Sequence, residues 1–209
     1  MAMISHSRSD KNELGFTEQE LVLLHEADSI MRVLTIEVPS DLAVLRSQSR
    51  DFSYEALASD EFSRLSELMV ATVTHPSQDG VGIAGPQVGL NRRVVAVQRF
   101  DKEGEPFEVY PNISIVWKSD SLESGPEGCL SVPDRRENVA RSREIIIEYT
   151  SFSSAPDSEA NCQESSGELC KNGPEMSQVR DTISGFTAII FQHEVDHLDG
   201  ILYTDRVSQ

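Results

Sequence analysis

The stretch Gln192-His193-Glu194-Val195-Asp196-His197 decides how the rest of the chain is read. Side chains four apart on a helix lie one above the other, so His193 and His197 can hold one metal ion with Glu194 beside it. A helix is expected here. Ser184 offers an N-cap, Gly200 a stop, and Phe186, Ile189, Ile190, His193 and His197 recur on one face. The apolar part of that face is expected to pack on a sheet and carry the histidines inward. Such a pattern also arises by chance, as two buried structural histidines with a glutamate nearby. A catalytic centre requires a third protein ligand and an open position for water.

With 209 residues the chain can build one sizeable core. A formal charge of -17 disfavours direct DNA contact and an anionic membrane. Cys129, Cys162 and Cys170 are an odd set and do not form a disulfide framework. No apolar leader opens the sequence, and no run reaches the roughly 18 apolar residues of a membrane span. A cytoplasmic protein is expected.

Residues 1–15 are polar and expected to be flexible, ahead of one catalytic domain over 16–209. A short helix is expected from Thr17 to Ile30, with Thr17 as its cap. A clearer helix starts at Ser59 or Asp60, because Phe62, Leu65, Leu68, Met69, Thr72 and Val73 form one apolar stripe. It should stop by Thr74, since His75 precedes Pro76. Gly80 to Gly89 is a glycine-rich loop. Strands are expected at 93–100, 107–110, 113–118, 143–150 and 178–183, where β-branched and aromatic residues dominate. Residues 151–178 turn serine-rich and acidic without any period, which predicts a disordered insert in a hairpin. The fold class is α+β, with antiparallel and mixed sheet around a central C-terminal helix.

For the third ligand, His6 lies in the polar start, and His25 and His75 suit surface roles. No glutamate follows His197, which argues against the common zinc-protease arrangement. Cys129 remains, within Glu127-Gly128-Cys129-Leu130-Ser131. A thiolate suits zinc or ferrous iron. Taken alone, Cys129 reads more simply as a buried inert cysteine. Asp196 could steady an imidazole, whereas Asp199 reads as solvated surface.

Three stretches in order, Gly80-Val81-Gly82-Ile83-Ala84-Gly85-Pro86-Gln87, Glu127 to Ser131 and Gln192 to His197, resemble the signature motifs of the peptide deformylases. The resemblance runs from about residue 55 to 205, apart from the insert. It implies a hydrolase that removes the formyl group from the formyl-Met N-termini of nascent proteins. It also implies one divalent ion on Cys129, His193 and His197, Fe(2+) in cells and Zn(2+) or Ni(2+) in preparations. Glu194 is then the general acid and base, and Gln87 with the Leu130 N–H stabilises the oxyanion. Gly82 holds the substrate main chain, and Arg136 lies near it. Val81, Phe186, Ile189 and Ile190 line the methionine pocket, and Glu127 with Arg141 forms a supporting ion pair. Core packing is the plain alternative for the pocket residues.

Gly85 stands where the family has alanine and is expected to loosen the loop. The basic C-terminal helix that some members dock on the ribosome is not seen, so at most a weak ribosome contact is expected. Two other functions stand beside deformylation: hydrolysis of another N-acyl amine, and a catalytically silent metal-binding interaction module.

Overall fold

The computed structural model describes residues 14–153 and 175–207. Among the described residues four helices precede the first strand: α1 (Glu18–Glu26), α2 (Pro39–Leu45), α3 (Tyr54–Leu57) and α4 (Asp60–Val73). Thr17 and Glu20 form a reciprocal capping box on α1, which stops at Glu26, four residues short of expectation. α2 and α3 are too short for any hydrophobic period to announce them. Pro39 at the first turn and the Ser53 cap are their only marks. α4 is capped by Ser59 and buries the predicted stripe from Phe62 to Val73.

The strands β1 (Gly82–Ala84), β2 (Val94–Gln98) and β3 (Phe107–Pro111) form one sheet in that order. A second sheet has the order β4 (Ser114–Lys118), β7 (Glu144–Ser153), β8 (Glu175–Ser184). Between them in sequence, β5 (Leu122–Cys129) and β6 (Val132–Ser142) make a two-stranded ribbon. Every ladder among the described residues is antiparallel, and the parallel part is the isolated bridge between Arg50 and Arg92.

The β7–β8 ladder runs from Glu144 opposite Ser184 out to Ser153 opposite Glu175. Residues 151–153 and 175–178, expected in the insert, are therefore strand. Backbone pairing extends past the point where the apolar pattern fades. Cys162, Cys170 and the expected disorder of the insert lie outside the described residues, as does the expected flexibility of residues 1–13.

The run Val94-Val95-Ala96-Val97 lacks alternation because β2 is buried on both faces. Val94 and Ala96 join the core around α4, with Leu65, Met69 and Ile83. Val95 and Val97 join the core around α5 (Gly185–Leu198), with Ile145, Ile147, Phe191 and Leu198. α5 touches both sheets and β6. It is therefore buried around most of its circumference, not along the single stripe expected, and even Thr187, Gln192 and Asp196 are inside. Phe186 departs from the expected inward face: at 56% exposure it stands at the start of the helix, against Phe100.

Candidate metal centre

His193 and His197 come from adjacent turns of α5, and their rings meet edge to face at 5.1 Å. Cys129 ends β5, just past a register shift between Gly128 and Cys129. Such a bulge re-aims a side chain out of the ladder. Here Cys129 Sγ lies 3.2 Å from His197 Nε2. One ligand atom each from Cys129, His193 and His197 lies within 4.8 Å of the others, a group able to hold a metal ion. Three protein donors leave a tetrahedral ion one position for water. Burial opposes ionisation of Cys129, but His197 and His193 outweigh it and keep the thiol well below its ordinary value.

Glu194 is buried, and its Oε2 has no hydrogen-bond partner among the described residues. Burial pushes its pKa up to about 7, against the pull of His193 and His197. A carboxyl poised there can take and return a proton near neutral pH. Gly82 makes room for it. A Cβ at Gly82 would lie 2.6 Å from Glu194 Oε1, so a side chain would push the carboxyl away.

Gln87 sits in the 3-10 turn Gly85–Val88 that follows β1. Its Oε1 accepts from the Ala84 N–H at 2.9 Å, which turns Nε2 toward the centre. Nε2 lies 3.2 Å from Ser131 Oγ and 3.5 Å from Cys129 Sγ. Ser131, fully buried, carries no signal of this contact in the sequence, although it closes the quoted Glu127–Ser131 motif. The expectation for Gly85 is overturned. A Cβ there would meet the Arg92 and Leu90 carbonyl oxygens at 2.6 and 2.8 Å, so glycine closes this loop tightly instead of loosening it.

Glu127 accepts from Arg141 Nε at 2.7 Å and from its second terminal nitrogen at 2.9 Å, and lies 2.8 Å from His193 Nδ1. Burial opposes the Glu127 charge, yet Arg141 and His193 hold its pKa down to about 2. A carboxylate on Nδ1 fixes the ring and leaves Nε2 for a metal. The expected imidazole partner, Asp196, does something else: it accepts from Arg141 at 2.5 Å and from Arg206 at 2.6 Å. It points away from the ligand face because it is one residue before His197 on the helix. Asp199 is exposed as expected, but it pairs with Arg93 at 2.8 Å.

A cavity of about 710 Å³ opens onto these groups. Val81, Gly82, Gln87, Leu130, Phe186, Ile189, Ile190 and Glu194 line it, and Arg136 stands exposed at its edge. Ile190 is also shared with the α5 core. Asp79 and Asp134 join the rim, both at positive φ (49° and 56°). No sequence motif marked them, since exposed aspartates in loops are common.

The chemistry assembled here defines a class, the metal-dependent hydrolases that activate water beside fixed carbonyl-polarising donors. A family profile described as polypeptide deformylase matches residues 30–161 and 171–209, beginning earlier than the residue 55 expected from the motifs. The peptide deformylase of Finegoldia magna is 32% identical over 164 residues, covering 78% of this chain and 83% of that one. The class I type b peptide deformylase of Acinetobacter baumannii aligns with a TM-score of 0.66 at 31% identity, over 86% of this chain and all of that one. The same enzyme bound to Met-Ala-Ser aligns at 0.63 and 30% identity, over 85% and 98%. The chain belongs to the polypeptide deformylase family. It is a hydrolase that removes the formyl group from the N-termini of nascent peptides, and the two alternative functions are disfavoured.

Proposed function

We propose that the groups around the cavity divide deformylation among themselves as follows. Cys129, His193 and His197 hold one divalent ion, Fe(2+) in cells, with Zn(2+) or Ni(2+) able to replace it because the same N and S donors suit all three. Bound there, the ion supplies Lewis acidity and lowers the pKa of a water molecule toward about 7. Glu194 takes the proton from the attacking water and returns it to the leaving amine, so formate and a free N-terminus are released. Gln87 Nε2 and the Leu130 N–H donate to the formyl oxygen as it becomes an oxyanion. Gly82 keeps its neighbourhood open for the substrate main chain, and Arg136 attends it from the rim. Val81, Phe186, Ile189 and Ile190 receive the methionine side chain.

The observation that carries this reading is the buried Glu194 oxygen, without a hydrogen-bond partner among the described residues, beside three convergent ligand atoms. The Met-Ala-Ser ligand of the A. baumannii enzyme supports an N-terminal methionyl peptide as substrate. Continuous cores shared by helices and sheets support one catalytic domain over 16–209. Among the described residues no helix is long and apolar enough to cross a membrane; we place the enzyme in the cytoplasm, in weak contact with the ribosome. The test is formate release from a formyl-Met peptide by protein of measured metal content. Expected are turnover with Fe(2+) or Ni(2+), weak turnover of formyl-Ala, and none of acetyl-Met. A folded, metal-loaded protein that releases no formate overturns the reading.

A further inference from the structure

The two proposed oxyanion donors lie on separate elements: Gln87 in the turn after β1, and Leu130 in the turn between β5 and β6. Donors of this kind act only when their spacing is fixed before the reaction, and a misplacement of about 1 Å costs up to about a hundredfold in rate. A third segment spans both turns. The Leu34 N–H donates to the Gln87 carbonyl at 2.8 Å, and the Ile36 N–H donates to the Ser131 carbonyl at 2.9 Å. Leu34 is buried, and Met31 ties the start of the segment to α4 through Thr72 Oγ1 at 2.8 Å.

Between the two bracing donors stands Thr35. Its N–H donates to Asp41 Oδ2 at 3.2 Å, and Arg32 forks onto the same carboxylate. Asp41 is 5% exposed although Arg32 is largely in solvent. It projects from the first turn of α2, a helix that itself touches the Gly85–Val88 turn. A buried carboxylate thus fixes the residue whose neighbours hold the two turns.

We infer that Asp41 is a positioning residue for the oxyanion site, bracing the Gln87 and Leu130–Ser131 turns at a fixed spacing through Leu34 and Ile36. The inference rests on the deformylase reading above. The oxyanion forms only once water attacks and is absent from the bound substrate, so a loosened brace lowers kcat and leaves KM nearly unchanged. A general loss of folding would instead remove active molecules and metal together. Asp41→Asn keeps an oxygen for the Thr35 N–H and is the conservative rescue.

The experiment compares wild type, Asp41→Ala and Asp41→Asn, all metal-loaded, on a formyl-Met peptide, with metal content per folded protein and amide hydrogen exchange measured in parallel. Expected for Asp41→Ala are a roughly tenfold loss of kcat with KM within about twofold, unchanged metal content, and faster exchange at Leu34 and Ile36. Asp41→Asn should recover most of the rate. Wild-type kcat in Asp41→Ala, or a loss of kcat matched by lost metal, overturns the inference. A silent wild-type protein overturns the deformylase reading itself and with it this extension.

Discussion

α5 and the β5–β6 ribbon each bring ligand atoms to one point, yet they are built in opposite ways. α5 carries both histidines on one continuous element, so their spacing follows from helix geometry alone, and the core it shares with both sheets buries it. The ribbon carries Cys129 past a register shift, with a largely exposed strand on each side. Its position depends on tethers: Arg141 to Glu127 and Asp196, Ile36 to Ser131, and Gln87 to Ser131. A ligand can thus be placed by local geometry or by distant bonds, and only the first kind is robust to a single change.

The strongest way to sharpen this contrast is to change chemistry on the helix without disturbing it. Glu194→Ala is expected to lower kcat by about 10²- to 10⁴-fold, while metal content and thermal stability stay near wild type. Formate release with metal analysis checks both halves. Next comes the tether. Arg141→Met leaves Glu127 and Asp196 without their shared partner, and breaking a buried ion pair costs about 3–5 kcal/mol. Urea unfolding should show that loss. Metal titration should show weaker binding with the far-ultraviolet helix signal retained, because the ribbon loosens first. Unchanged metal affinity would remove the distinction drawn between the two regions.

A smaller effect tests the loop that faces the ribbon. Gly85→Ala forces a methyl against two backbone carbonyls and should destabilise the protein by about 1–3 kcal/mol, read as a lower urea midpoint with an unchanged slope. A gain in stability would show that the loop yields. The smallest effect lies outside both regions, at the buried pair of Glu20 with Arg92 Nε at 2.7 Å. Burial raises the Glu20 pKa, but Arg92 and Thr17 outweigh it and the net shift is downward from 4.5. A depressed carboxyl stabilises the fold above its unfolded value and loses that contribution as pH falls through the folded value. Wild type should therefore lose more stability than Glu20→Gln between pH 6 and about pH 3. Parallel urea curves check it.

What could be read in the sequence divides along the same line. α4 was legible because a fourteen-residue helix shows an apolar period and the Ser59 cap, and α5 because His193 and His197 stand one turn apart ahead of Gly200, although Ser184 makes no side-chain capping bond. β5, with two glycines and a proline, and β6, with its central charged run, bury too little to leave any alternating pattern. Their pairing comes from backbone bonds, which no side chain records. Likewise His193 and Glu194 were visible as a motif, but the Glu127 contact to His193 and the Arg206 contact to Asp196 join positions far apart or off the motif face. The tight closure at Gly85 is hidden from the sequence for the same reason. The carbonyls that exclude a methyl there belong to Leu90 and Arg92, whose approach only the folded loop creates.

The register of β7 and β8 has a further consequence for how such a chain can diversify. Ser153 and Glu175 face each other as the last described pair of the ladder, so whatever joins them starts and ends about 5 Å apart. The entropy of closing a loop on such an anchor rises only by about 0.6 kcal/mol for each doubling of its length. The far end of this hairpin is therefore a port. Residues can be gained, lost or exchanged there for a foreign sequence while the paired strands carry little of the change toward the helix at their other end.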